Sequence, residues 1–296
     1  MTEYSIGMHG FFDDKKYKRD FRNFINGIEF CLFSDEEVNK LKNIAKTDDF
    51  NIGIHFPLRK KIYKYRDPLI LSKDKDERLD AFNAIEKELK FATDINAKYM
   101  VMHFPKPVIL NDDFNFDTWA FTYDNEFIFE KDYSFEDFRK DCINAFEKLS
   151  RLSDKYNVQI VLEHDYLNKY FYEEDLLENL LKKYTNIKLC LDTGRLHVMD
   201  KVNPNFDSIK FVQNMAKYTY LLHISNVRVR KTLKDRHFPV LPNQNTKDGW
   251  ANIDSYLKIM SNINPNIRIL FEHRSDLVND KDLDLCYKWV RSYFEF

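Results

Sequence analysis

The chain has 296 residues, with 46 Lys and Arg against 48 Asp and Glu, and a formal net charge of −2. This near balance excludes a uniformly basic protein that coats nucleic acid. Hydrophobic residues make up 44% of the chain and aromatic residues 16%, which excludes a disordered chain and predicts a soluble globular protein with a sizeable core.

The sequence also gives no support for a membrane protein, a secreted protein or either of two classes of nucleotide-binding protein. No apolar run approaches the ~18 residues that cross a bilayer, and the first residues lack the regions of a secretory signal. The six glycines form neither a dinucleotide-binding motif nor a P-loop. The four cysteines are far apart, which is typical of reduced thiols, and packing in the core is the default for Cys31 and Cys190. We therefore expect a cytoplasmic protein.

Short apolar runs alternate with longer amphipathic stretches along the whole chain. The runs predict strands at 4–8, 27–32, 52–56, 98–104, 159–163, 187–192, 219–224 and 267–272. Helical patterns lie at about 14–26, 35–46, 76–95, 135–156, 174–184, 206–217, 252–261 and 281–292. Strands that are each followed by a helix predict a single (β/α)8 TIM barrel in the α/β class, with a doubly wound open sheet as the alternative.

The predicted barrel is one domain, 1–296, because no linker rich in Pro, Gly or Ser divides the chain. One connection is unusual: about 105–133 forms a long insertion after the fourth strand and is acidic and aromatic. Loops longer than roughly 12–15 residues are usually functional or carry local structure. We expect a lid or a small substructure there.

Six consecutive predicted strands end in side chains that can bind a metal ion. These residues are His55, His103, Glu163, Asp192, His223 and Glu272. The carboxyl ends of barrel strands meet at one rim, so these side chains would face a common pocket. Carboxylates and imidazoles without thiolates suit Mn²⁺, Mg²⁺, Co²⁺ or Zn²⁺, so the sequence predicts a divalent metal of open identity.

Several motifs give the chain a resemblance to a known family. They are Val-Leu-Glu163-His, Cys-Leu-Asp192-Thr-Gly, Leu-Leu-His223-Ile-Ser, Asp235-Arg-His237-Phe-Pro, Gly249-Trp-Ala-Asn-Ile-Asp254 and Leu-Phe-Glu272-His. With these motifs the chain resembles, over nearly its whole length, the xylose isomerase-like barrels, which include sugar and sugar-phosphate isomerases and epimerases and endonuclease IV.

In the epimerase branch, the resemblance implies that one divalent metal is bound by Glu163, Asp192, His223 and Glu272. It also implies that Glu163 and Glu272 are the catalytic acid and base. This role is chemically sensible, because moving a proton beside a carbonyl requires a carboxylate on each face and a Lewis acid for the developing enediolate.

In the endonuclease branch, the resemblance implies further metal ligands. They would be His55 and His103 with Glu163, and Asp235 with His237. The histidine expected three residues after Asp192 is replaced by Arg195, which cannot bind a metal, although His197 could swing in. Under the isomerase interpretation the substrate-binding residues are His55, His103, Arg195, His197, Asp235, His237 and Arg274.

Two basic segments, 59–66 and 228–236, follow predicted strands at the same rim. Basic loops around an acidic metal site favour an anionic substrate, and Arg195 would bind its phosphate or carboxylate. The expected partner is thus a small carbohydrate, with no membrane partner and with nucleic acid only under the alternative below. The oligomeric state stays open, a homo-oligomer included.

The leading functional hypothesis is a divalent metal-dependent isomerase or epimerase of a sugar or sugar phosphate. The alternative is an endonuclease IV-like metal-dependent phosphodiesterase that acts on abasic DNA. A third hypothesis is a non-enzymatic module that binds sugar or metal. It is disfavoured because paired carboxylates on a metal are costly to assemble without chemical use.

Overall fold

A computed structural model describes residues 2–47, 50–116, 119, 121–230 and 232–295. In the described residues the strands, in chain order, are β1 (Glu3–His9), β2 (Ile25–Cys31), β3 (Asn51–His55), β4 (Tyr99–Phe104), β5 (Val108–Leu110), β6 (Phe127–Phe129), β7 (Gln159–His164), β8 (Ile187–Asp192), β9 (Thr219–Ile224), β10 (Asn226–Val229), β11 (Leu233–Phe238) and β12 (Arg268–Phe271). The α-helices are α1 (Asp14–Asp20), α2 (Asp35–Thr47), α3 (Lys75–Asp94), α4 (Phe135–Tyr156), α5 (Lys169–Tyr172), α6 (Leu176–Lys183), α7 (Thr193–Val202), α8 (Ser208–Met215), α9 (Ile253–Ile263) and α10 (Asp280–Arg291).

Eight of the strands form a closed barrel in the order β1-β12-β9-β8-β7-β4-β3-β2. Parallel registers include His103 opposite Glu163 in the β4–β7 pair and Leu270 opposite His223 in the β12–β9 pair. Each barrel strand overlaps one of the eight predicted apolar runs. The prediction of a (β/α)8 TIM barrel is therefore confirmed.

Spatial contacts between residues group the chain into two compact units. The first unit contains Met1–Gly7, Asp13–Gly27 and Cys190–Phe296, and the second contains Met8–Phe12 and Ile28–Leu189. Three of the divisions fall inside barrel strands, within β1, β2 and β8. The single-domain organisation expected from the sequence stays a prediction.

Helix α4 illustrates how the sequence specifies an element of the second unit. The Ser134 side chain accepts a hydrogen bond from the Asp137 backbone N–H, which caps the helix start, and Asn157 ends the helix in the left-handed region. Between these ends one face is buried, and its apolar members include Phe138, Phe146 and Leu149. Capping and apolar spacing together explain why the predicted and observed bounds agree.

Two helices in the first unit differ from prediction. Helix α1 ends at Asp20 rather than near 26, because Phe21 takes an extended backbone and Ile25 already belongs to β2. Helix α7 was not predicted. It begins with Thr193 and Gly194, which are weak helix formers, and it buries most of its residues, so it lacks an amphipathic pattern.

The insertion near 105–133 contains regular structure. Strands β5 and β6 pair in parallel, and all three residues of β5 are fully buried. In the segment that joins these two strands, the rings of Phe114, Phe116 and Phe121 contact one another. The predicted insertion residues Asp117, Thr118 and Ala120 lie outside the described residues. Among the described helices, none is long and apolar enough to cross a membrane.

Candidate metal centre

Three side chains of the second unit converge at the ends of neighbouring strands. His55, His103 and Glu163 lie at the ends of β3, β4 and β7. The His103 Nε2 atom is 2.9 Å from Glu163 Oε2, and the His55 Nε2 atom is 3.2 Å from the same oxygen. All three potential ligand atoms lie within 4.8 Å of one another. The side chains of His103 and Glu163 are buried, and that of His55 is 12% exposed.

The other ring nitrogens of these histidines fix the orientation of the rings. His55 Nδ1 is 3.1 Å from the Phe56 carbonyl oxygen, and His103 Nδ1 is 2.6 Å from Asp67 Oδ1. Because a carbonyl and a carboxylate can only accept, both Nδ1 atoms carry a proton and donate. The two Nε2 atoms therefore face Glu163. Histidines that bind a metal through Nε2 likewise donate the Nδ1 proton to a carboxylate or a carbonyl.

The donor set fits a divalent cation. Two Nε2 atoms and a carboxylate oxygen repel one another when their lone pairs meet, unless a proton or a cation lies between them. Burial by itself lowers the pKa of His55, but its hydrogen bonds with Cys31 and Glu163 raise that pKa well above its usual value. A bound metal would take the place of this proton.

Cys31 is the last residue of β2 and contacts His55 of this group. Cys31 is only partly buried, whereas Cys190 is buried in the core as expected. Burial raises the pKa of Cys31, but hydrogen bonds with His55 and His9 outweigh this effect and lower the pKa overall. The sequence held a signal for this contact, because His9 and Cys31 both end barrel strands.

The first unit holds a second convergent group. Ligand atoms of Asp192, His223 and Glu272 lie within 4.8 Å of one another. The His223 Nδ1 atom is 3.4 Å from Glu272 Oε2. Asp192 is buried, and its Oδ1 accepts the Arg195 backbone N–H at 2.8 Å, which caps α7 and orients the carboxylate. Glu272 is 29% exposed, so a small molecule can reach it.

His197 does not take the place of the histidine that the endonuclease resemblance implies three residues after Asp192. His197 lies on α7, is buried, and its Nε2 donates to the Gly249 carbonyl at 2.9 Å. Burial lowers the pKa of His197 and keeps its ring neutral at pH 7. The position three residues after Asp192 is held by Arg195, whose backbone N–H binds the Asp192 carboxylate.

Asp235 and His237 lie on the antiparallel strand β11. The Asp235 carboxylate is 2.5 Å from a guanidinium nitrogen of Arg228, and His237 Nδ1 is 3.3 Å from the Glu272 carbonyl oxygen. Both residues have positive φ angles, 47° and 51°, which for residues other than Gly is strained backbone. Among the described residues, neither belongs to a group with metal-binding spacing.

Some basic side chains of the two rim segments have acidic partners. Arg59 pairs with Glu88, Arg66 with Asp67, and Arg230 with Asp248. Outside these segments, Arg274 pairs with Asp276. Because the pairs offset part of the positive charge of the loops, the basic segments give less support to an anionic substrate than their sequence suggests.

Sequence reasoning missed a buried ionic cluster behind His103. It consists of Asp67, Lys106, Glu126 and Asp165, all at most 4% exposed. Burial raises the pKa of Asp67, but the charges of His103 and Lys106 outweigh this effect and hold it well below its usual value. The signal available in the sequence was the position of Asp165, two residues after Glu163.

Comparison with known proteins agrees with the barrel. The chain matches the family model of the xylose isomerase-like TIM barrel over residues 25–292. A search of curated proteins gave no match.

Three solved structures are similar along almost the entire chain. They are 3-keto-D-glucoside 4-epimerase from E. coli (13% identity, TM-score 0.60, 99% of this chain and 100% of that chain covered), D-psicose 3-epimerase with D-tagatose from Clostridium cellulolyticum H10 (13%, 0.61, 99% and 100%), and the TTHB071 protein from Thermus thermophilus soaked with ZnCl2 (13%, 0.61, 98% and 97%). At such low identities these similarities show the fold alone.

Proposed function

Because the chain belongs to the xylose isomerase-like TIM barrel family, we propose that it is a divalent metal-dependent isomerase or epimerase of a sugar or sugar phosphate. The observation that carries this proposal is the convergence of Asp192, His223 and Glu272. Carboxylates and an imidazole at barrel strand ends form a donor set for a catalytic metal with open positions. Several proteins of similar fold are named as sugar epimerases.

In this proposal Glu163 is the fourth ligand. It ends β7, the strand next to β8 in the barrel, and β8, β9 and β12 lead to the other three ligands. When bound, the cation would act as a Lewis acid that polarises the substrate carbonyl. Whether Mn²⁺, Mg²⁺, Co²⁺ or Zn²⁺ is the resident ion is a matter for metal analysis.

The proton transfer is assigned to Glu163 and Glu272. One carboxylate removes the proton from the carbon beside the carbonyl, and the electron pair of that C–H bond moves toward the carbonyl oxygen to give an enediolate. The other carboxylic acid returns a proton, to the opposite face of the same carbon in an epimerase or to the neighbouring carbon in an isomerase. His55 and His103 contact Glu163 Oε2 and thereby set the orientation of that carboxylate.

Substrate hydroxyls and any anionic group are assigned to the remaining polar residues of the rim. These are His55, His103, Arg195, His197, Asp235, His237 and Arg274. Arg195 is assigned to the phosphate or carboxylate of a substrate that carries one, and Arg274 pairs with Asp276 through its guanidinium. A neutral sugar and its phosphate are therefore both included in the test.

The experiment is hydrogen exchange in D2O. The protein is loaded with Mn²⁺ and incubated with ketohexoses, aldohexoses and their phosphates, and NMR follows loss of the carbon-bound hydrogen beside the carbonyl. Glu163→Gln and Glu272→Gln should each abolish exchange, because an amide cannot accept the proton. Glu136→Gln, on an exposed helical face, is the matched control. Full exchange in both Glu163→Gln and Glu272→Gln would reject the assignment of these two residues as acid and base.

The alternative, an endonuclease IV-like phosphodiesterase, is favoured only by the group of His55, His103 and Glu163. Arg195 and the pairing of Asp235 with Arg228 argue against its remaining metal ligands. Incubation with abasic-site DNA in the presence of ZnCl2 decides between the two functions. Nicking without sugar exchange would replace the isomerase by the nuclease.

A further inference from the structure

We propose that the ammonium group of Lys106 occupies a cation site built into the chain, and that through Asp67 it positions the His103 ring against Glu163. Lys106 is thus a positioning residue for the candidate metal centre. The zinc measurement below rests on the proposed metal-dependent function, whereas the hydrogen-bond measurement does not.

Lys106 is buried to an extent that is rare for lysine. Its side chain is 2% exposed, and lysine is almost never fully buried unless it is paired. The Nζ atom lies 2.8 Å from Asp165 Oδ2, 3.0 Å from Asp67 Oδ2 and 4.0 Å from Glu126 Oε2. Three acids from three separate segments therefore surround one ammonium group.

The geometry around this ammonium group is that of a cation site. Ligand atoms of Asp67, His103 and Asp165 lie within 4.8 Å of one another, close enough for one metal ion. Lys106 supplies its positive charge at the two carboxylates of that group. The second Asp165 oxygen accepts the Tyr166 backbone N–H at 2.8 Å, which holds the carboxylate in place.

Asp67 transmits the position of Lys106 to His103. Asp67 Oδ1 accepts the His103 Nδ1–H at 2.6 Å, and Asp67 Oδ2 accepts the Lys106 ammonium group. This carboxylate-to-histidine bond fixes which ring nitrogen carries the proton, and it directs Nε2 to Glu163 at 2.9 Å. Loss of Lys106 would leave Asp67 with the Arg66 guanidinium, whose side chain is 53% exposed.

Lys106 itself lies near the start of the insertion, and other insertion residues contribute to its environment. Glu126 lies in the insertion, is buried, and is the third acid near Nζ. The Phe121 ring, also in the insertion, has its centroid 5.9 Å from Nζ. The insertion therefore contributes one negative charge and one ring to the environment that holds Lys106.

The main test compares Lys106→Met with wild type and with Lys64→Met, a control at an exposed lysine. The proton on His103 Nδ1, short-bonded to Asp67, gives a downfield NMR resonance that is assigned by its loss in His103→Gln. We expect this resonance to be lost or shifted in Lys106→Met and unchanged in Lys64→Met. An unchanged resonance in folded Lys106→Met would overturn the inference, whatever the enzyme's activity.

A second variant covers the case in which Lys106→Met does not fold, since it leaves buried acids without their cation. Lys106→Ala leaves a cavity that ethylammonium can enter. Added ethylammonium should restore the fold, followed by circular dichroism, together with the His103 resonance. Failure of this amine to restore either one would contradict the proposal.

Zinc titration provides an independent measurement. ZnCl2 affinity, followed by calorimetry, should fall by about 10- to 100-fold in Lys106→Met, the usual cost of losing an outer hydrogen-bond partner. Lys106→Ala should bind one Zn²⁺ more than wild type, because Asp67, His103 and Asp165 become available. If the wild type binds no zinc, the proposed metal-dependent function fails while the NMR result still decides the role of Lys106.

Discussion

Gly53→Ala tests the packing between β3 and β4, the two strands that carry His55 and His103. Gly53 lies in β3, two residues before His55, and faces the Tyr99 ring of β4. A Cβ at Gly53 would lie 2.4 Å from Tyr99 Cζ, 2.4 Å from its Oη and 2.9 Å from its Cε1. Atoms cannot approach so closely, and Tyr99 is only 4% exposed, so its ring cannot simply move into solvent.

The expected cost is that of overpacking a closed core, about 1–3 kcal/mol of the free energy of unfolding. For a chain of this size each kcal/mol lowers Tm by about 2–4 °C, so calorimetry measures the effect. Gly7→Ala in β1 is the matched control, because a Cβ there meets only Leu270 Cδ2 at 4.0 Å. We expect the control to be neutral or slightly stabilising.

A double-mutant cycle identifies the cause of the loss. Tyr99→Leu removes the ring atoms that a Cβ at Gly53 would meet, so Gly53→Ala should cost much less in the Tyr99→Leu background. The reasoning is refuted if Gly53→Ala is as stable as Gly7→Ala, or if its cost is the same in both backgrounds.

Three further predictions concern individual residues. Among the described residues neither ring nitrogen of the buried His273 has a hydrogen-bond partner. His273→Phe should therefore raise the free energy of unfolding, measured in urea, by about 1–2 kcal/mol. A variant that is equally stable or less stable would contradict this. Burial, with Lys16 and Arg19 nearby, lowers the pKa of His273 to about 3. The unfolded chain therefore binds the extra proton from about pH 6.5 downward, stability should fall as the pH drops toward 3, and the fall should be shallower in His273→Phe. Iodoacetamide at pH 7 should label Cys31 before the buried Cys142. The reason is that hydrogen bonds lower the pKa of Cys31, whereas burial and Asp141 raise the pKa of Cys142 well above its usual value. Peptide mass mapping measures the labelling, and equal labelling of both thiols would be evidence against the contacts of Cys31.

The barrel could be predicted because its strands are local features. Each is a short apolar run, and in several of them, such as 159–163, a polar residue at the end of the run marks the strand end in the sequence itself. Helix α7 could not be predicted in the same way, because its burial on most faces removes the amphipathic pattern. The antiparallel pair β10–β11 carries Asp235 and was likewise missed, since its polar residues resemble a loop.

Long-range ion pairs were the other limit of the sequence. Segment 59–66 has only basic charges, yet Glu88 on α3 supplies an acid to Arg59. In the sequence Lys106 is simply a basic residue after the fourth predicted strand, whereas the structure buries it between Asp67 and Asp165. Such contacts depend on the packing of separate loops, so residue type and spacing do not reveal them.

The central claim is a metal-dependent isomerase whose ligands include Asp192, His223 and Glu272. Anomalous scattering from crystals grown with Mn²⁺ tests it most directly. The account predicts an anomalous peak whose centre lies about 2.0–2.3 Å from a ligand atom of each of these three residues. It is contradicted if no peak is found at these residues, or if the ions include one held by Asp235 and His237, as the nuclease requires.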